Sequence, residues 1–480
     1  MLNIEKFKVD FFNQMSLMFD ELVKKYDVNT IPSVNKYMYD VPKLVYNPAN
    51  KRHLLITNSS QLALLNSGDY DNYFIAPGVY PAIQIKTSGS KSNYKTLSLY
   101  NNSDLHPGKL KENERVSIPI SFVNSNFWIL DRLGTINHSD KVNNVSYKVY
   151  PTCSNIIFNE FFLTNFCRAF EIQSNTSLTY YTKDIFIQNC RIEKMNPAAI
   201  DNDDSAIMLV GSESTKFRKI ENVRIVNNEI VNCNDGIQTM RYVGTQLHDA
   251  NYDGLIIDNN HIYVDEYVYT DGNGKLNPSG KFSLTENAID LKAGSSDVNN
   301  PIVISNNKLW GFRKTDIVNG GSGDAGYAIV GHYDTKNVII EDNYIFNSTN
   351  GIGFRDPSNV NYSCENVTIR SNKLSNIAEL DQAGKALTFH TVKNMLVEKN
   401  IISNNTARIW LELYKNDKNA VKITDTLLSN MLPMIGEAGQ ADIINTINLA
   451  QGELKDLLFT TDNFTNNPKQ IRIENIILTE

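Results

Sequence analysis

One short phrase recurs along this chain: a turn-forming residue, a β-branched strand and a closing asparagine. It reads Asn222-Val-Arg-Ile-Val-Asn-Asn228, Gly254-Leu-Ile-Ile-Asp-Asn-Asn260, Pro301-Ile-Val-Ile-Ser-Asn-Asn307, Asn337-Val-Ile-Ile-Glu-Asp-Asn343 and Asn366-Val-Thr-Ile-Arg-Ser-Asn372. Further copies begin at Asn155, Asp184 and Asn394. Each unit can bury its apolar face only against its neighbours, so the repeat demands a stacked solenoid. Alternation within the strand turns Ile225, Ile257, Ile304, Ile340 and Ile369 inward. Asn228, Asn260, Asn307, Asn343, Asn372 and Asn400 then fall at the following turn, where stacked amides can bond one another. Cys190 takes the same position and reads as a buried structural thiol. The other cysteines, Cys153, Cys167, Cys233 and Cys364, show neither a zinc spacing nor a dense disulfide framework.

A second strand follows each first one: Ala288 to Lys292, Ala328 to His332, Gly351 to Arg355 and Ala386 to His390. Stacking would set Lys292, His332, Arg355 and His390 in one outward-facing column, neighbours roughly 4.8 Å apart. First strands recur every 28 to 47 residues between about 118 and 414. The shorter intervals fit a coil of three short strands. The longer ones need insertions, notably 264–284 and 313–325, which flank the coil of Asp290 and Lys292 and can wall a groove. The expected fold is therefore all-β, a right-handed parallel β-helix spanning residues 60–414. Residues 1–59 form a lead-in. Within it Phe7, Phe11, Met15, Met18, Phe19, Leu22 and Val23 mark a helix over 3–26 that caps the open end or pairs with copies of itself. Residues 60–65 read as a short helix, and Tyr73 to Tyr80 as a strand broken by Pro77-Gly78. Residues 415–480 read as an extension, with a helix from Ala438 to Leu457 and a final strand from Gln470 to Leu478.

Composition narrows the partners. Hydrophobic residues make up 41% and charged residues 21% of the 480, a globular balance, and the net charge of -7 excludes a general nucleic-acid binder. No apolar run approaches the length of a membrane span. The N-terminus lacks a secretory signal pattern, so the protein is kept in a cytoplasm, leaves by another route such as a virus particle, or has been trimmed; action outside the cell, as in a virion tail, is the expectation. Neither nucleic acid nor membrane is an expected partner, and the N-terminal helix permits a monomer or a homotrimer.

Over about residues 60–415 the chain resembles the pectate-lyase-like, right-handed parallel β-helix superfamily. Within it, Glu286-Asn-Ala-Ile-Asp-Leu-Lys292 and the following Pro301-Ile-Val-Ile-Ser-Asn-Asn-Lys308 resemble the chondroitinase B and alginate lyase group. There a coil ending in a catalytic lysine precedes a coil presenting a catalytic arginine. The resemblance implies Lys292 as that lysine. The next coil offers His332, and the arginine comes one coil later, at Arg355. The group's calcium-holding acidic pair falls nearest Thr285 and Asn287, with Glu286 between them, which implies Glu286 and Asp290 as the available calcium ligands. The architecture also resembles tailspike depolymerases of bacterial viruses.

The column suits an acidic polysaccharide. β-Elimination removes the proton beside a uronate carboxylate and expels the glycosidic oxygen, and the carboxylate must first be neutralised. Lys292 is read as the base, Arg355 as a bidentate carboxylate clamp, and His332 as a neutralising or proton-donating group. Asp290 polarises Lys292, holds a metal with Glu286, or forms a buried salt bridge. His390, Arg241, Tyr333 and Tyr327 are expected to bind substrate, and Trp410 flanks the column. Two alternatives stay open. A glycoside hydrolase could use Asp203 and Asp204, although a polar turn is the preferred reading of 201–204; Asp334 and Asp356 cluster nearer the column. A spike could also grip glycan without cutting it.

Overall fold

The computed structural model describes residues 36–101, 103–136, 145–166, 168–174, 181–195, 205–211, 217–240, 242–243, 246–247, 249–265, 286–312, 326–333, 335–355, 364–377, 384–403, 409–414, 421–424, 427–429, 435–437, 453–454, 457–461, 469–474 and 476–479. The chain divides into a unit of residues 1–38 and a unit of 39–480. The expected helix over 3–26 lies outside the described residues.

The larger unit is a parallel β-helix. Three long sheets run side by side, and the chain visits them in fixed rotation. In one turn, Ile302–Ser305 lies in the first sheet, Lys308–Trp310 in the third and Tyr327–Gly331 in the second, before Lys336–Glu341 returns to the first. Register follows the phrase seen in the sequence: Ile225, Ile257, Ile304, Ile340, Ile369 and Val397 pair in succession and are fully buried. Ile237, Ile289, Ile329, Ile352 and Leu387 form the matching row of the second sheet. Each such side chain contributes about 1.5–3 kcal/mol by burial.

The corner between the first and third sheets explains the doubled asparagines. The first residue of each pair is left-handed: φ is 59° at Asn227, 54° at Asn259, 54° at Asn306 and 58° at Asp342, a region that asparagine and aspartate tolerate. The second makes the ladder. Asn228 Nδ2 donates to Asn260 Oδ1 at 2.9 Å, Asn260 to Asn307 at 3.0 Å, Asn307 to Asn343 at 3.0 Å, Asn343 to Asn372 at 2.9 Å and Asn372 to Asn400 at 3.1 Å. Cys190 sits at this position, its backbone N–H donating to Asn228 Oδ1, and it is buried, as are Cys153, Cys233 and Cys364. Cys167 lies outside the described residues. A second left-handed residue opens the first-sheet strands at Asn222, Asn337, Asn366 and Asn394, and Gly254, at φ 66°, serves there in its own coil.

Stacking begins at His53–Ile56, ahead of residue 60, and parallel pairing runs past 414 through Val421–Thr424, Leu427–Ser429 and Ile435–Glu437. The short helix at 60–65 is a 3-10 helix over Ser59–Asn66. At the far end, Ala438 to Leu457 lies largely outside the described residues, and what is described there is strand, not helix: Glu453–Leu454 and Leu457–Thr461. The single final strand expected from Gln470 is two, Lys469–Glu474 and Ile476–Thr479, which join different sheets.

Candidate functional site

The second sheet carries the candidate column. Leu291, Gly331, Phe354 and Phe389 pair in succession, so Lys292, His332, Arg355 and His390 follow at one position of four consecutive coils. The column is less exposed than a solvated face: His332 and His390 are buried, and Lys292 keeps 14% of its side-chain surface.

Two residues before Lys292, Asp290 is almost fully buried among these cations. Lys292 Nζ lies 3.6 Å from its Oδ2, and His332 Nε2 lies 3.3 Å from its Oδ1. Burial alone would raise this carboxyl, but Lys292 and His332 more than reverse that and hold it at about 2. Behind it lies Asp235, which the sequence reading passed over. Gln238 Nε2 bridges the two acids, donating to Asp235 Oδ2 at 2.9 Å and Asp290 Oδ2 at 3.3 Å. Asp235 is pushed well above the usual carboxylate range by burial and by the charges of Asp290 and Glu286. Buried Glu286 completes the group: one carboxylate oxygen from each of Asp235, Glu286 and Asp290 lies within 4.8 Å of the others. Asp235 pairs in register with Asn287, and this alignment is the signal that could have found it. Both residues accept a backbone N–H from the next coil, Asp235 from Asn287 and Asn287 from Tyr327.

Tyr327 is buried, and its hydroxyl accepts a hydrogen bond from Arg355 Nη1 at 3.3 Å, so it orients the guanidinium. Gly353 makes room for it: a Cβ there would stand 2.5 Å from the Tyr327 ring. Tyr333, left-handed at φ 55°, places its ring 5.9 Å from that of His332. Arg241, Asp334, Asp356 and residues 201–204 lie outside the described residues, as does the side chain of Trp410.

By chain order, the third-sheet strands His261–Tyr263 and Lys308–Trp310 precede the second-sheet strands of Asp290 and His332. The insertions expected between them, 264–284 and 313–325, lie almost wholly outside the described residues.

Comparisons with known proteins bear on the fold. No family model matches the sequence, and no curated protein does. Among solved structures, PfbA, a surface adhesin of Streptococcus pneumoniae, matches with a TM-score of 0.54 at 13% identity, over 88% of this chain and 95% of that one. An alginate lyase from Paenibacillus sp. str. FPU-7 overlays with a TM-score of 0.42 at 14% identity, over 77% of this chain and 99% of that one. A PL6 family polysaccharide lyase from Pseudopedobacter saltans gives 0.44 at 12%, over 89% and 92%. At these identities the likeness to the adhesin shows the fold alone, and the two lyases add no weight to it.

Proposed function

We propose that this chain depolymerises an acidic, uronate-containing polysaccharide by β-elimination on the outer face of the second sheet. The observation that carries the reading is the alignment of Lys292, His332 and Arg355 on consecutive coils, the first two against one buried carboxylate. The resemblance of Glu286 to Lys292 to the chondroitinase B and alginate lyase group supports it.

In this reading Arg355 clamps the uronate carboxylate bidentately and Lys292 adds a second fixed charge, making the neighbouring C–H acidic enough to ionise. His332, between them, exchanges the proton with the sugar carbon or the leaving oxygen. The C–H electron pair becomes the new C=C bond as the glycosidic C–O bond breaks, so one product carries an unsaturated end. The resemblance implies Lys292 as the base. Asp290, 3.6 Å away, stabilises its ammonium and counts against that role. His390 and Tyr333 extend the binding surface along the column.

Asp235, Glu286 and Asp290 fit a calcium ion: three hard oxygens lie within 4.8 Å of one another, no farther apart than two ligands on opposite sides of one ion at about 2.4 Å each. When bound, calcium would supply further positive charge to neutralise the substrate carboxylate. Hydrolysis is the second reading, favoured by two carboxyls whose environments drive them apart, Asp235 up and Asp290 down. Their spacing disfavours it, because an inverting pair needs roughly 6.5–9.5 Å to admit water.

The test is ultraviolet absorbance from unsaturated ends during incubation with a panel of uronate polysaccharides, with and without chelator. Absorbance should rise, and Lys292→Ala and Arg355→Ala should each slow the rise at least about a hundredfold with folding intact. Shortening of the polymer without absorbance would move the chemistry to the carboxylates. Retention of glycan without shortening would leave a binder.

A further inference from the structure

A second site lies far from the column, under the segment that leads into the helix. Residues 39–46 cross the outer face of the first sheet as a strap fixed at both ends. At one end the Tyr39 backbone exchanges two hydrogen bonds with the Gln188 amide, at 2.8 and 2.9 Å, and its ring packs on Phe186. At the other, the Tyr46 ring meets Phe74 and Tyr100 edge-on, with centroids 5.4 and 5.7 Å away, while Lys43 pairs with Asp104 at 2.6 Å. Gln188, Asn159, Asp131, Ser98 and Phe74 are successive members of one register row. Those four steps span about 19 Å, and seven extended residues reach about 23 Å, so the strap has length to arch. Beneath the arch lies a cavity of about 590 Å³ with Asn159, Asp131 and Ser98 on its floor.

The polar groups of the floor are only partly used. Gln188 Nε2 donates to Asn159 Oδ1 at 3.0 Å, and Asn159 Nδ2 to Asp131 Oδ1 at 2.7 Å. The ladder stops there: among the described residues the Asp131 carboxylate accepts no other hydrogen bond, leaving acceptor capacity toward the cavity. Burial, reinforced by Glu160, raises this carboxyl to about 6. Beside it, Arg132 Nε is buried without a hydrogen bond, although Glu160 Oε2 stands 3.7 Å off. Lys43 cancels Asp104 and Arg132 cancels Glu160, so Asp131 is the charge left over. An acidic ligand is thereby disfavoured. A wall of three aromatic rings and a strong acceptor in a space of this size match a pyranose, whose C–H face stacks on rings while its hydroxyls bond the polar side.

We propose that the cavity under the strap is a non-catalytic binding site for one or two neutral sugar units. It is separate from the acidic-glycan column: Asp131 stands four strand steps, or roughly 19 Å, along the axis from the coil of Lys292. The site stands or falls independently of the depolymerase reading.

Saturation-transfer NMR on the full chain tests it, with maltose, cellobiose and lactose set against glucuronate and galacturonate. Neutral disaccharides should receive saturation, and Lys292→Ala with Arg355→Ala should leave that signal unchanged. Asp131→Asn, which keeps the Asn159 bond, should weaken binding roughly tenfold or more. Tyr100→Ala should do the same, and Tyr100 is exposed enough that its loss spares the fold. No signal from any neutral sugar, a signal lost in the column variant, or one indifferent to both cavity variants would overturn the proposal. Uronate binding that survives in the column variant would overturn its charge argument.

Discussion

Removing a single rung of the asparagine ladder should unfold more than its size suggests. Asn307 makes four side-chain hydrogen bonds: Nδ2 donates to Ile257 O and Asn343 Oδ1, and Oδ1 accepts from the Asn260 backbone N–H and Asn260 Nδ2. Asn307→Ala leaves the buried Asn260 N–H and the Ile257 carbonyl without those partners. Asn343 Oδ1 keeps its bond from the residue-307 backbone. At about 1–3 kcal/mol for each orphaned buried group, plus a smaller net loss for the remaining bonds, the cost comes to about 3–6 kcal/mol. The neighbouring Asn306 gives the contrast: at φ 54° it bonds Asp258 from an exposed position, and Asn306→Gly keeps the backbone shape, so it should cost no more than about 1 kcal/mol. The assay is the denaturant midpoint of each variant at unchanged slope. A loss below about 1 kcal/mol for Asn307→Ala would refute the account, because the ladder would then be ornament on a fold held by its isoleucines.

The two central acids should give opposite pH limbs. Asp290, lowered to about 2, adds on the order of 2 kcal/mol that is fully present above its unfolded value of 3.8 and lost as pH falls toward 2. Asp235, raised, instead stabilises at low pH, and its contribution drains away as pH rises above 3.8 toward its folded value. Asp235→Asn should therefore flatten the decline of unfolding midpoints as pH rises above 3.8 and leave the acid limb in place; an unchanged profile would contradict the pairing. Calcium added to chelator-treated protein at about a hundredfold over its Kd should stabilise it by about 2.7 kcal/mol, read as a rise in Tm. Glu286→Gln should remove most of that rise, and a rise that survives it would place the ion elsewhere.

What could be read in the sequence was whatever repeats in phase. The inward isoleucines, the ladder and the alignment of Lys292 with His332, Arg355 and His390 each recur coil after coil, and periodicity exposes them. Even the left-handed corner is written in the doubled Asn227-Asn228 and Asn306-Asn307. Asp235 was hidden because it occupies a place where the next coil has Asn287, and because more than 50 residues of chain separate it from Asp290, its neighbour in space. The strap was hidden for another reason. Its grip on Gln188 is one pair of hydrogen bonds across 149 residues, with no second copy to betray it. The end of the stretch expected as a helix, Glu453–Leu454 and Leu457, is strand instead, because an apolar run without the ladder asparagine suits a helix as well as a strand.

The column could still be read as charges shelved on a convenient face, and its own neighbours argue against that. The register row of Asp290 holds Gln238 in the coil before it and Val330, Gly353 and Thr388 in the coils after it. Neutral side chains, or none at all, satisfy the same sheet position within a few ångströms along the axis. The fold therefore does not require an acid there. A buried carboxylate costs several kcal/mol to desolvate, and its cations repay that only where geometry holds them close. Here it recruits Lys292 and His332 from two coils, is tied through Gln238 to a second acid, and has Arg355 oriented by Tyr327 on the next coil. Hydrophobic replacements would build a more stable helix at lower cost. An arrangement that stability disfavours, confined to one stretch of an otherwise regular sheet, supports a site kept for its chemistry.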